Sequence, residues 1–268
     1  MNEVVIMVIL KREILSQKLT ILIWGLAIGF MVGVCVLIYP QMQSQMDNIG
    51  EMMSSLGSFT KAFGMDQLNF GTLTGFYAIE CGNMLGIGGA FFAAIIAVTS
   101  LMKEERDRTA EFLLTHPVSR VRVITEKLIS VFVNILLMNA IVLVCAVIPL
   151  LVIEGEVAWG TIFLFHFAFL LLQFEIAGIC FGISAFIGRF GAGIGIGVAA
   201  VFYLMNLISN LSVDAKVLKY ITPYGYTDGA TLANSNRLEV KYLLPGMCFM
   251  VIGIVLAYVK YTRKDIRS

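Results

Sequence analysis

The sequence predicts an all-α integral membrane protein with six transmembrane helices, and three observations carry that reading. Hydrophobic residues are 59% of the chain and charged residues 14%, with a mean hydropathy of +0.88, whereas soluble domains carry roughly 25% charged residues. The apolar residues gather into runs long enough to cross a hydrocarbon core of roughly 30 Å at 1.5 Å per helical residue. Lysine and arginine, which resist translocation, concentrate between alternate runs.

The first span is read from Leu19 to Tyr39, without a charge, and the second from Cys81 to Met102, where Lys103-Glu104-Glu105-Arg106-Asp107-Arg108 stops it. The third covers Leu128 to Ile153, the fourth Thr161 to about Ile187, the fifth Gly191 to Leu211, and the sixth, shorter and less apolar, Tyr242 to Val259. The first run is too long for a signal-peptide core and lacks a clear small-residue cleavage site, so it is expected to be retained. Residues 1–18 mix Val4, Ile6, Ile9, Leu10 and Ile14 with Lys11, Arg12, Glu13 and Lys18, which suits an N-terminal interfacial helix. The segment from Pro40 to about Ile79 reads as short amphipathic pieces capping the opposite face. Its methionines, Met42, Met46, Met52, Met53 and Met65, read as flexible apolar packing in preference to a copper(I) site. The whole of 1–268 forms one transmembrane domain.

With the N-terminus inside, the inner segments hold Lys11, Arg12, Lys18, Lys103, Arg106, Arg108, Arg120, Arg122, Lys127, Arg189, Lys260, Arg263, Lys264 and Arg267. The outer segments hold only Lys61, Lys216, Lys219, Arg237 and Lys241. The bias predicts a multi-pass protein of the plasma membrane with both termini cytoplasmic. A net charge of +1 gives no reason to expect a nucleic-acid partner. The five cysteines show no metal-ligand or redox spacing, so no metal is expected.

Small residues recur every fourth position: Gly82, Gly86, Ala90 and Ala94 on the second span, Gly178 and Gly182 on the fourth. Backbones can approach closely there. On the fifth span Gly191 and Gly195 share one face and Gly193 and Gly197 roughly the opposite one, so that helix is read as able to pack on two sides.

An ionisable side chain at mid-bilayer costs roughly 2.5 to 3.5 kcal/mol on insertion scales, which singles out Glu175 in the fourth span. Asn139 on the third span lies at matching depth, and the two are read as able to meet. Glu175 serves either as interhelical glue or in substrate or proton handling. Asn134, Gln173, His166 and Asn206 are further polar candidates.

The segment between the second and third spans is charged, compact and patterned. Asp107 or Thr109 can cap a short helix, Phe112, Leu113 and Leu114 give it an apolar side, and Pro117 ends it. Three consecutive large apolar residues in an otherwise charged loop are costly in water unless something buries them. The loop therefore calls for a docking partner.

In this loop the chain resembles the type-2 permeases of ATP-binding-cassette exporters. The pattern Glu105-x-x-Arg108-Thr109-Ala-Glu111-x-Leu113-Leu114-x-x-Pro117-Val-Ser119-Arg120, followed by Lys127, looks like that family's signature after its second helix. The N-terminal interfacial helix, Ile221-Thr-Pro223-Tyr224 and the closing Tyr261-Thr-Arg-Lys-Asp265-Ile are similar too. The resemblance implies a cytoplasmic coupling helix between spans two and three, with Glu111, Phe112, Leu113, Leu114, Pro117 and Arg120 contacting a separate ATPase. It implies two ATPase copies, a second permease copy in a homodimer or heterodimer, and a substrate path lined mainly by the first, second and fifth spans. ATP and magnesium then belong to the partner, because this sequence has no G-x-x-x-x-G-K-[ST] loop and no cofactor motif.

A secondary transporter or channel is the alternative from a different class. It calls for inverted repeats or paired intramembrane charges, and neither stands out. A membrane-embedded enzyme calls for convergent catalytic groups, whereas the only two histidines, His116 and His166, lie far apart.

Overall fold

The computed structural model describes residues 3–45, 57–65, 68, 71–102, 119–153, 156–187, 191–212 and 214–263, with side chains from Ile9 onward. The described residues form helices and connecting turns without a strand, and six helices are long and apolar enough to cross a membrane. They are α1 (Glu3–Gln43), α2 (Leu73–Ser100), α3 (Arg120–Val152), α4 (Trp159–Ser184), α5 (Gly191–Leu211) and α6 (Val240–Arg263).

The first, second, third and sixth of these helices begin before the apolar runs that announced them, whereas α5 coincides with its run and α4 ends three residues short of Ile187. The 41 residues of α1 make a helix of about 60 Å, twice the hydrocarbon thickness, so the N-terminal segment, expected as a separate interfacial helix, runs into the first span without a break. Neither glycine nor proline occurs before Gly25, so nothing local interrupts the backbone hydrogen bonding where hydropathy changes. Similarly, α2 begins two turns before Cys81. The Thr72 hydroxyl accepts from the Gly75 amide at 3.1 Å and starts the helix in a stretch too polar to register as a span. Ser119 caps α3 in the same way, accepting from the Arg122 amide at 3.3 Å.

α4 lies at the centre, with α2 and α6 packed along it, while α1 runs beside α3 and α5 packs on α2. Lipid tails are as apolar as leucine, so close packing and hydrogen bonds hold such a bundle together in place of a hydrophobic driving force. The α4–α6 crossing shows this directly. A Cβ added at Gly182 would stand 2.6 Å from the Gly253 carbonyl oxygen, and one at Gly253 would stand 2.6 Å from that of Gly178. Two backbones touch there, and any side chain would separate them.

Among the described residues the glycines of the fifth span make close backbone contact on one face. A Cβ at Gly195 would lie 2.9 Å from the Ala94 carbonyl oxygen, whereas Gly193 and Gly197 have open space. Between Leu85 and Gly89 the second span widens into a π-helical turn, a feature frequent at functional sites.

The connection from α5 to α6 re-enters the bundle. It contains 3₁₀ turns at Asp214–Tyr220 and Pro223–Tyr226, then a short helix at Gly229–Ser235. The Thr222 hydroxyl donates to the Phe202 carbonyl at 2.8 Å, nine residues, or about 13 Å, inside the end of α5. The Tyr224 hydroxyl donates to the Gly86 carbonyl in the π turn at 2.8 Å. Pro223, Tyr224, Gly225 and Tyr226 are all buried.

Candidate functional site

Two groups of polar side chains stand out, one at the α3 N-terminal end of the bundle and one inside it. Of the predicted coupling residues, Glu111, Phe112, Leu113, Leu114 and Pro117 lie outside the described residues. Arg120 is described, and its guanidinium donates to the Thr262 carbonyl near the end of α6 at 3.4 Å. Around it, the first turns of α3 gather neighbouring helix ends. The Thr125 and Tyr258 hydroxyls share a hydrogen bond of 2.7 Å, a second link from α3 to α6.

Lys127 is the centre of this cluster. Its side chain is fully buried, and its ammonium donates to the Ser100 carbonyl at the end of α2 at 2.7 Å and to Glu13 of α1 at 3.4 Å. A buried ammonium is tolerated only with such partners, because stripping it of water costs several kcal/mol. Beside it, Glu126 accepts from Arg122 at 3.1 Å and from the Leu10 amide of α1 at 3.2 Å. One turn of α3 thus ties α1 and α2 together, while Arg120 and Thr125 hold α6. Met102 and Ser119, the described residues on either side of segment 103–118, flank this knot.

The intramembrane candidates separate into distinct environments. Asn139 donates to Gln173 on α4 at 2.6 Å and to the Ile135 carbonyl at 2.9 Å, while Gln173 returns a bond of 3.4 Å to Asn139. The expected meeting of Asn139 with Glu175 does not occur. Two residues turn a helix by about 200°, so Gln173 takes the α3 face and Glu175 points elsewhere. Gln173 also fills the space left by Gly89 in the π turn, where any Cβ would collide with its amide nitrogen. The pair therefore joins α2, α3 and α4 at one point.

Glu175 is fully buried on the α6 side of α4, its carboxyl against the backbone of Gly246, where a Cβ would collide with it. The Tyr226 hydroxyl of the re-entrant turn lies beside it. Neither carboxylate oxygen nor that hydroxyl makes a hydrogen bond of good geometry among the described residues. Asn134 is buried with its side-chain oxygen unpaired, and His166 shares a 2.7 Å hydrogen bond with Tyr77 on α2. Asn206 is not part of these contacts. It lines a small cleft between α2, α5 and the re-entrant segment, with Asn83, Tyr203 and Asn210. There the Tyr203 hydroxyl donates to Asn83 at 3.2 Å and the Asn210 amide to the Ala62 carbonyl at 3.1 Å.

Sequence reasoning missed the roles of Glu13, Glu126, Tyr226 and Gly246. Opposite charges at the same boundary of two spans were the legible signal for Glu13 with Lys127, whereas nothing in the sequence places Tyr226 or Gly246 against Glu175. Among the described residues no group of three or more His, Cys, Asp or Glu side chains could hold a metal ion.

The geometry is that of a helical bundle whose chemistry lies in helix contacts. Comparison with known proteins agrees: residues 7–266 match the model of a family described as ABC-2 family transporter protein. No individual curated protein gives a match. Nearly the whole chain is covered by that family, six spans included, and the chain therefore belongs to the ABC-2 transporter family as a membrane permease subunit of an ATP-binding-cassette transporter.

Proposed function

We propose that this permease exports an amphipathic substrate, a lipid-like molecule, peptide or drug, driven by a separate ATPase docked on the 103–127 loop. In this reading Glu111, Phe112, Leu113, Leu114 and Pro117 make the contact, with Arg120 at its edge. The transporter has two permease copies and two ATPase copies in the plasma membrane, with both permease termini cytoplasmic. ATP and magnesium are bound by the ATPase.

The observation that supports the reading is the knot at Lys127. A force applied to the loop reaches α3 at Arg120 and passes through Lys127 to α2 and α1 and through Arg120 and Thr125 to α6. Rigid connection at the loop base is what a coupling element requires, since slack there would dissipate the displacement. The transporter class without an ATPase is less well supported, because Glu175 takes part in none of the ion pairs seen among the described residues.

Leu113→Asp tests the proposal. Burial of a leucine is worth roughly 1.5 to 3 kcal/mol, and the substitution also places an unpaired charge in the contact. The variant inserts and assembles in the membrane but no longer retains the ATPase or supports transport. Retention of both in Leu113→Asp would remove the coupling assignment. For orientation, a cysteine placed near Asp47 labels from the outside of intact cells.

A further inference from the structure

A groove of about 570 Å³ runs along the outside of the α1–α3 seam, walled by Leu15, Leu22 and Leu26 of α1 and Leu137, Ala140 and Val144 of α3. Its volume falls within the range of about 300–1,000 Å³ typical of small-molecule sites. Lys18 is the one charged residue in its lining. That side chain is exposed, and its ammonium makes no hydrogen bond or ion pair in the described structure. Glu13, the acid nearest to it along the helix, is already engaged by Lys127. Lys11, two turns before Lys18 on the same helix face, and the adjacent Arg12 are exposed as well.

The groove therefore carries one positive charge near its α1 N-terminal end, between Leu15 and Ile21, and is apolar elsewhere. From Ile14 to Leu26 it extends about 18 Å along α1, with Lys18 about one turn in from its N-terminal end, where the first apolar run begins. Its walls are pinned on both sides. The Glu13–Lys127 pair fixes the helices at the charged end, and farther along a Cβ at Gly25 or Gly29 would press on Ile141 or Cys145 at 3.0 or 2.8 Å. A site held open in this way costs little ordering when filled.

We propose that the groove binds one anionic phospholipid of the leaflet at the α1 N-terminal side, with its phosphate on Lys18 and an acyl chain between α1 and α3. Positive charge at the head and unbroken apolar walls select an anionic amphiphile over a zwitterionic one. The site is independent of the ATPase contact.

Native mass spectrometry of the full chain, titrated separately with phosphatidylglycerol and phosphatidylcholine, tests this. The first phosphatidylglycerol binds several-fold more tightly than phosphatidylcholine. Lys18→Gln weakens it roughly five-fold, the equivalent of about 1 kcal/mol for one lysine at a membrane surface, and leaves phosphatidylcholine unchanged. Ala140→Trp, which fills the groove from its lipid-facing side, removes the tight site while preserving the thermal melt. Equal affinity for the two lipids, or a preference that survives both substitutions, overturns the proposal. So does efficient disulfide formation between copies through Ala140→Cys in native membranes, which would make the groove a contact between permeases.

Discussion

The ammonium of Lys127 donates to the Ser100 carbonyl at 2.7 Å, so the beginning of the third span is fastened to the end of the second across the 103–118 segment. Because the same ammonium reaches Glu13 at 3.4 Å, the first span joins the connection. This geometry and the packing around α4 lead to four expectations.

Lys127→Met removes the cation that Glu13 and the Ser100 carbonyl share. Breaking one partner of a buried pair costs about 3 kcal/mol, so the variant melts well below the parent. Equal melting of parent and Lys127→Met would mean that the knot is not a mechanical element.

At the α4–α6 crossing, Gly182→Ala directs a methyl at the Gly253 carbonyl from 2.6 Å, and the helices must part. A loss of roughly 1 to 3 kcal/mol is expected from such overpacking. Gly193→Ala, facing open space, should be neutral or gain up to about 1 kcal/mol from helix propensity. Thermal unfolding of the two variants side by side reads the difference.

Asn139 and Gln173 form the polar junction of α3 with α4. Gln173→Leu or Asn139→Leu alone strands a buried amide at a cost of about 1 to 3 kcal/mol. The double substitution removes both polar groups, so its effect falls short of the sum of the singles. Additive losses in this cycle would show that the two amides do not depend on each other.

Glu175→Gln is expected to keep both assembly and transport, because a neutral amide of the same shape fits between Gly246 and Tyr226. Glu175→Ala opens a cavity there and lowers stability. Loss of transport in a well-assembled Glu175→Gln protein would assign the carboxyl to substrate or proton handling instead.

Sequence alone determined that this chain has six helices able to cross a membrane and that its third and fourth spans hide polar groups. Both follow from composition along one dimension: apolar runs of bilayer length, and ionisable residues where none should be free of cost. The close approach at Gly178 and Gly182 was legible for the same reason, since spacing on a helix fixes which residues share a face. What sequence could not decide was pairing between helices. Glu175 and Gln173 lie two residues apart, and only the rotation of α4 against its neighbours sends one to Asn139 and the other to Gly246 and Tyr226. Helix ends were equally out of reach, because α1 and α2 extend through polar residues on hydrogen bonds and caps that hydropathy does not register. The re-entrant turn at Pro223–Tyr226 depends on space left by α2, α4, α5 and α6 together, so tertiary packing alone places it.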